Sequence, residues 1–145
     1  MSSVALKASF DMKWVEKTPV YGDLIRTKVS FYHHYGIFVS ENQVIQFGLP
    51  DGPTRPAEEI RVLSSDIATF LQGGDVEVGE PENAERKTMR SPRQIVEIAT
   101  GRLGEGGYDI LHNNCEHFVN ECAFGAHVSN FLQGVREKLR KKLGK

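Results

Sequence analysis

Long apolar runs are missing from this chain, and cysteines are scarce. No segment approaches the roughly eighteen uninterrupted apolar residues of a simple transmembrane helix. The opening stretch MSSVALKASFDMKWVEK has no apolar core of signal-peptide length, because charges interrupt it early. A cytoplasmic protein is the expectation. The net charge is only −1, which argues against nucleic-acid binding by the general surface. That total is unevenly spread, since residues 128–145 hold six Lys/Arg against one Glu.

Only two cysteines occur, Cys115 and Cys122. On one helix their spacing gives roughly 10 Å of rise, whereas a disulfide needs Cα atoms within about 7 Å. Two unpaired thiols fit a reducing compartment. No repeat or low-complexity tract appears, and 145 residues of ordinary composition fit one globular domain.

What the chain does have is NNCEHFVNEC, residues 113–122. Asn114 is a good helix cap, so Cys115 falls in the first turn, where free N–H groups and the helix dipole favour a thiolate. Phe118, Val119, Cys122 and Ala123 continue an apolar face shared by Cys115, and Gly125 stops the run. Upstream, SPRQIVEIATGRLG reads as a helix with Ser91 as cap, Pro92 in the first turn and Gln94 closing a capping box. Its expected stripe is Ile95, Ile98, Ala99 and Leu103, ended by Gly104. Residues 80–90 read as a polar surface loop, and YDILH as a brief extended piece.

The first half reads as β-rich. Strands are expected at about 22–28, in the hairpin HHYGIFVSENQVIQFG, in EEIRVL and in DVEVGE, with a short Ser-capped helix in SSDIATFLQGG. An α+β fold follows, an antiparallel sheet with the Cys115 helix packed on it. Strand alternation puts His34 with Tyr32, Gly36 and Phe38, and His33 with Tyr35, Ile37 and Val39. The second set looks like core, and the small Gly36 would leave room beside His34. If SEN is a three-residue loop with Asn42 left-handed, Val39 pairs with Gln43 and Gly36 faces Gln46. Gln46 then lies diagonal to His34 on one face, within reach of a long polar side chain. A plain two-residue loop would turn Gln46 away.

A thiol nucleophile needs a base, and the base needs a group to orient it. Cys115, His34 and Gln46 meet that need. GDLI before the hairpin, HYGIFV with a polar residue twelve positions after its His, and NNCEHFVNECAFG together resemble the lecithin retinol acyltransferase-like family. That family is part of the permuted papain-like and NlpC-type thiol enzymes. The resemblance runs from about Gly22 to Gly125. It implies Cys115 as nucleophile, His34 as general base and acid, and Gln46 as the orienting group where many members have a second histidine. It also suggests Tyr32 as an oxyanion contact beside the Cys115 backbone N–H. The implied chemistry is acyl transfer from phospholipid or other acyl esters through an acyl-cysteine, of phospholipase A or acyltransferase type, with no metal or organic cofactor.

Two other functional classes stand beside this one. The same residues would serve a papain-like peptidase or amidase, and the fold could be a non-catalytic membrane- or protein-binding module. A zinc site from Cys115, His117 and Cys122 matches no strong spacing, and His117 reads as a structural hydrogen-bonding residue. Residues 1–127 are expected to form the catalytic domain and 128–145 a basic amphipathic tail. In that tail Val128, Phe131, Leu132, Val135, Leu139 and Leu143 fall at helical spacing among Lys and Arg, with Gly134 expected to interrupt the helix. It would either lie on an anionic membrane, giving a peripheral protein, or pack on the domain.

Overall fold

The computed structural model describes residues 10–51 and 54–144. Six antiparallel strands form one sheet: β1 (Met12–Glu16), β2 (Leu24–Val29), β3 (Tyr32–Ser40), β4 (Gln43–Phe47), β5 (Val62–Ser65) and β6 (Glu77–Pro81), in the order β1-β6-β2-β3-β4-β5. Five helices accompany it: α1 (Ile67–Leu71), α2 (Asn83–Thr88), α3 (Pro92–Gly101), α4 (Cys115–Phe124) and α5 (Asn130–Lys142). The fold is α+β, as the pattern of alternating and helical periodicities requires.

Alternation along β3 divides the core between two faces. Leu24, Tyr35, Ile37, Ile45 and Phe47 face α3 and α4, where they pack with Ile95, Ala99, Phe118, Val119 and Cys122. Ile25, Phe38, Val44 and Val78 face the other way and pack with Phe70 of α1. Both sides of β3 are therefore core. No open space lies beside Gly36, because a Cβ there would come within 2.8 Å of the Phe70 ring and 2.9 Å of Val44.

The hairpin reaches the expected register by a different route. Its loop has two residues, Glu41 and Asn42, between the paired Ser40 and Gln43, and Asn42 is not left-handed. A bulge between Phe38 and Ser40 inserts Val39 on one strand only. The extra residue reverses the parity that the short loop would impose, so Gly36 still pairs with Gln46.

Several boundaries differ from expectation for physical reasons. Asp66, not a serine, caps α1 by accepting from the Thr69 N–H, because Ser64 and Ser65 are used in β5. Ala57–Glu59 forms a 3-10 turn, so the strand in that region starts only at Val62. β2 starts at Leu24 because Gly22 is left-handed, and its N–H is donated to the Phe38 carbonyl. Residues 80–90 are not a loop: they contain the end of β6 and all of α2, whose Glu85 is buried and accepts the Asp11 N–H. In α3 the buried stripe is Ile95, Val96 and Ala99, with Ile98 partly buried; Leu103, past the end of the helix, is exposed. Residues 109–113 are a closed turn rather than an extended piece, joined by Asp109–Asn113 backbone bonds in both directions. α5 passes through Gly134 without a break.

Candidate active site

Asn114 builds the helix end on which Cys115 stands. Its side-chain oxygen accepts the N–H groups of Glu116 and His117, and its side-chain amide donates to the Ile110 carbonyl. His117 Nδ1 completes the capping box by accepting the Asn114 N–H at 3.0 Å. Four orphan donors at a helix start need such partners, and two are supplied here by one side chain. The first N–H groups, those of Cys115 and Glu116, lie against the Cys115 sulfur.

The sulfur occupies a gap in the sheet. Pairing of β4 with β3 begins at Gly36, so residues 32–35 pair only with β2. The Tyr35 N–H, on the side vacated by β4, lies near the Cys115 sulfur instead and favours its thiolate. Cys115 is packed with the Tyr35 and Ile37 face, whereas His34 lies on the other face, its ring 5.2 Å from that of Phe70. The two nevertheless line one cleft of about 100 Å³. No hydrogen bond joins the Cys115 sulfur to the His34 ring among the described residues.

His34 has a defined tautomer. Its Nε2 is 2.9 Å from Gln46 Oε1. Gln46 cannot present its amide nitrogen there, because that group donates to Ser65 Oγ at 2.7 Å and to the Val44 carbonyl at 3.3 Å. The imidazole must therefore donate from Nε2, and its lone pair sits on Nδ1. Burial sets both protonation states. It pulls the His34 pKa down to about 4 and pushes the Cys115 thiol up to about 12, against the lowering effect of the Tyr35 N–H. The resting pair is a neutral thiol and a neutral imidazole.

Tyr32 lines the cleft, but its hydroxyl donates to the Pro50 carbonyl at 2.7 Å. Burial raises its pKa, and the nearby Cys115 adds to that. Other walls come from Phe31, Tyr35, Tyr108, Ile110 and Phe131. None was singled out by motif, because they converge from three distant segments and carry no shared spacing. Glu116 was also missed. It is buried beside the sulfur and accepts from Ser129 Oγ at 2.8 Å and the Phe131 N–H at 3.3 Å, tying the start of α5 to the first turn of α4.

Behind that turn, His117 stacks on His127 with ring centroids 4.0 Å apart. His127 faces the Glu121 carboxylate with Nδ1 and the His112 carbonyl with Nε2. Both neighbours favour the protonated ring and together raise the His127 pKa against the effect of burial. Glu121 also holds Arg102 at 2.6 Å. Cys122 is wholly buried. No group of three or more potential metal ligands occurs among the described residues, and no described helix is long and apolar enough to cross a membrane.

Several known proteins are similar to this chain in sequence. Lecithin retinol acyltransferase of Mus musculus is 27% identical over 131 residues, covering 76% of this chain and 56% of the relative. Phospholipase A and acyltransferase 2 of Homo sapiens is 29% identical over 127 residues, covering 81% of this chain and 78% of the relative. Phospholipase A and acyltransferase 1 of Rattus norvegicus is 29% identical over 136 residues, covering 87% and 76%. The chain spans 56–62% of the length of the lecithin retinol acyltransferases of mouse, rat and cow. The family profile described as lecithin retinol acyltransferase matches residues 17–128, which contain β2 to β6 and the whole of α4. The chain belongs to the lecithin retinol acyltransferase family.

Proposed function

We propose that this protein transfers acyl groups from lipid esters through an acyl-Cys115 thioester. The observation that carries the reading is the shared cleft. It brings together a cysteine at a helix start and an imidazole whose free lone pair is fixed on Nδ1 by Gln46. When an ester fills the cleft, His34 Nδ1 takes the Cys115 proton and the sulfur bonds to the carbonyl carbon. The developing oxyanion faces the Cys115 backbone N–H, with Tyr32 at the cleft wall as a further contact once its hydroxyl turns from Pro50. The C–O bond then breaks and His34 returns the proton to the departing alkoxide. Water, an alcohol or an amine next attacks the thioester, losing its proton to His34, and the thiol is restored.

The substrate class is a glycerophospholipid or a similar acyl ester. The relatives' names speak of lecithin, phospholipase A and acyltransferase, and the aromatic and aliphatic walls suit an acyl chain. Residues 17–128 hold Cys115, His34, Gln46 and Tyr32, and the basic segment that follows adds Phe131 to the cleft wall. The two free thiols suit a reducing compartment, and a cytoplasmic, peripheral protein fits that chemistry.

A non-catalytic binding module is the competing reading. The observation on its side is the missing bond between Cys115 and His34, with the thiol held near 12. Catalytic contacts often close only when substrate is bound. The test is release of fatty acid from phosphatidylcholine by the purified chain, with a peptide ester and a peptide amide assayed in parallel. Release abolished by Cys115→Ser supports the proposal. Turnover of the peptide substrates alone replaces it with a peptidase, and no turnover at all with the binding module.

A further inference from the structure

The surface around the cleft mouth is apolar and continues onto α5. Phe31 is 79% exposed, Ile110 52%, Leu111 57% and Phe131 43%. These side chains come from the β2–β3 turn, the 109–113 turn and the first turn of α5, and three of the four line the cleft itself. Single exposed apolar residues are ordinary, but convergence from three separate segments on one opening is not scatter. From Phe131 the exposed line runs on through Val135, Leu139 and Leu143, each four residues after the last and therefore on one side of the helix. Leu132 is the buried residue of α5, which is tethered at its start by Ser129, Asn130 and Glu116.

Charge decides what this surface fits. Arg136, Lys138, Arg140, Lys141 and Lys142 flank the apolar line, and the single acid of the helix, Glu137, is paired with Arg140. A second copy of the chain would bring two basic helices together, which like charges oppose. An apolar line edged by lysine and arginine instead matches the boundary between anionic headgroups and acyl chains.

We propose that Phe31, Ile110, Leu111 and Phe131, together with the Val135–Leu139–Leu143 line, form one continuous surface that docks on an anionic phospholipid bilayer. The cleft mouth then opens into the membrane, and an ester enters without crossing water. Only that last consequence rests on the acyl-transfer reading; the docking does not.

The test uses the full chain carrying Cys115→Ala, so that binding is measured without turnover. Sedimentation with vesicles of phosphatidylcholine plus phosphatidylserine should capture it far better than vesicles of phosphatidylcholine alone. Leu111→Ser, Val135→Ser and Leu139→Ser combined should weaken capture about tenfold or more. Since these side chains are exposed, the thermal unfolding midpoint should stay that of the parent. Lys138→Gln, Lys141→Gln and Lys142→Gln combined should weaken capture and flatten its dependence on salt. Equal capture of parent and triple-serine variant overturns the proposal, as does failure of the parent to bind either vesicle. A parent that is dimeric by sedimentation equilibrium and becomes monomeric with Leu139→Ser also overturns it, since the surface would then join two copies. Vesicle capture by a chain that never forms an acyl-enzyme keeps the docking surface and removes the acyl-transfer reading.

Discussion

Cys115 and His34 reach one cleft from opposite faces of a single β-sheet. The sulfur enters through the gap where β4 has not yet joined β3, and the imidazole stands on the α1 side of β3. The gap also leaves the Tyr35 N–H near the sulfur, where it favours the thiolate. A helix-borne thiol and a strand-borne imidazole can thus share a cleft without sharing a sheet face.

Gln46 acts on this pair through His34, so its loss should change rate more than affinity. Gln46→Leu removes the acceptor that fixes the Nε2–H tautomer, and kcat for ester hydrolysis should fall about ten- to a hundredfold with KM little changed. Ser65→Ala removes one anchor of the Gln46 amide and should give a smaller loss of the same kind. A rise in KM at constant kcat would assign Gln46 to substrate binding instead.

Acid should weaken the fold through His34. Its pKa falls from 6.5 in the unfolded chain to about 4 in the native one. Between those values the unfolded chain binds more protons, so stability is lost as pH falls through that window, by about 3 kcal/mol for this residue. Urea unfolding at a series of pH values should show the loss, and His34→Asn should flatten it. The same shift places the acid limb of kcat/KM nearer 4 than 6.5, because the base is already neutral above it.

Asn114 supports the Cys115 helix through three hydrogen bonds. Asn114→Ala should cost about 1–2 kcal/mol in urea unfolding and should lower activity by loosening the first turn around Cys115. Full activity at reduced stability would show that the cap serves folding alone.

Gly36 is held small by Phe70 and Val44, not by a need for open space at the site. Gly36→Ala should destabilise the fold by about 1–3 kcal/mol through overpacking. Thermal unfolding of that variant checks it, and an unchanged midpoint would contradict the packing account.

The parts of this structure written in local chemistry could be read from the sequence. Asn114 and the Ser91–Gln94 box mark their helices because capping needs particular side chains at particular offsets. The Gly36–Gln46 pairing could be expected, but the means could not, since nothing in Val39 announces a bulge. β1 escaped because MKWVE is a partly exposed edge strand whose partner, β6, lies far along the chain. α2 escaped because its residues look like a solvated loop until Glu85 is buried against the Asp11 backbone. The cleft walls and the approach from two faces depend on contacts between distant segments, and no spacing records them.

The central claim is that Cys115 carries the acyl group. Intact-mass spectrometry after brief exposure of the purified chain to a phospholipid tests it most directly. The account predicts a mass increase of one acyl chain, located on the peptide containing residue 115 and absent from Cys115→Ala. Release of fatty acid with no such adduct under rapid quenching, or an adduct that persists in Cys115→Ala, would contradict it.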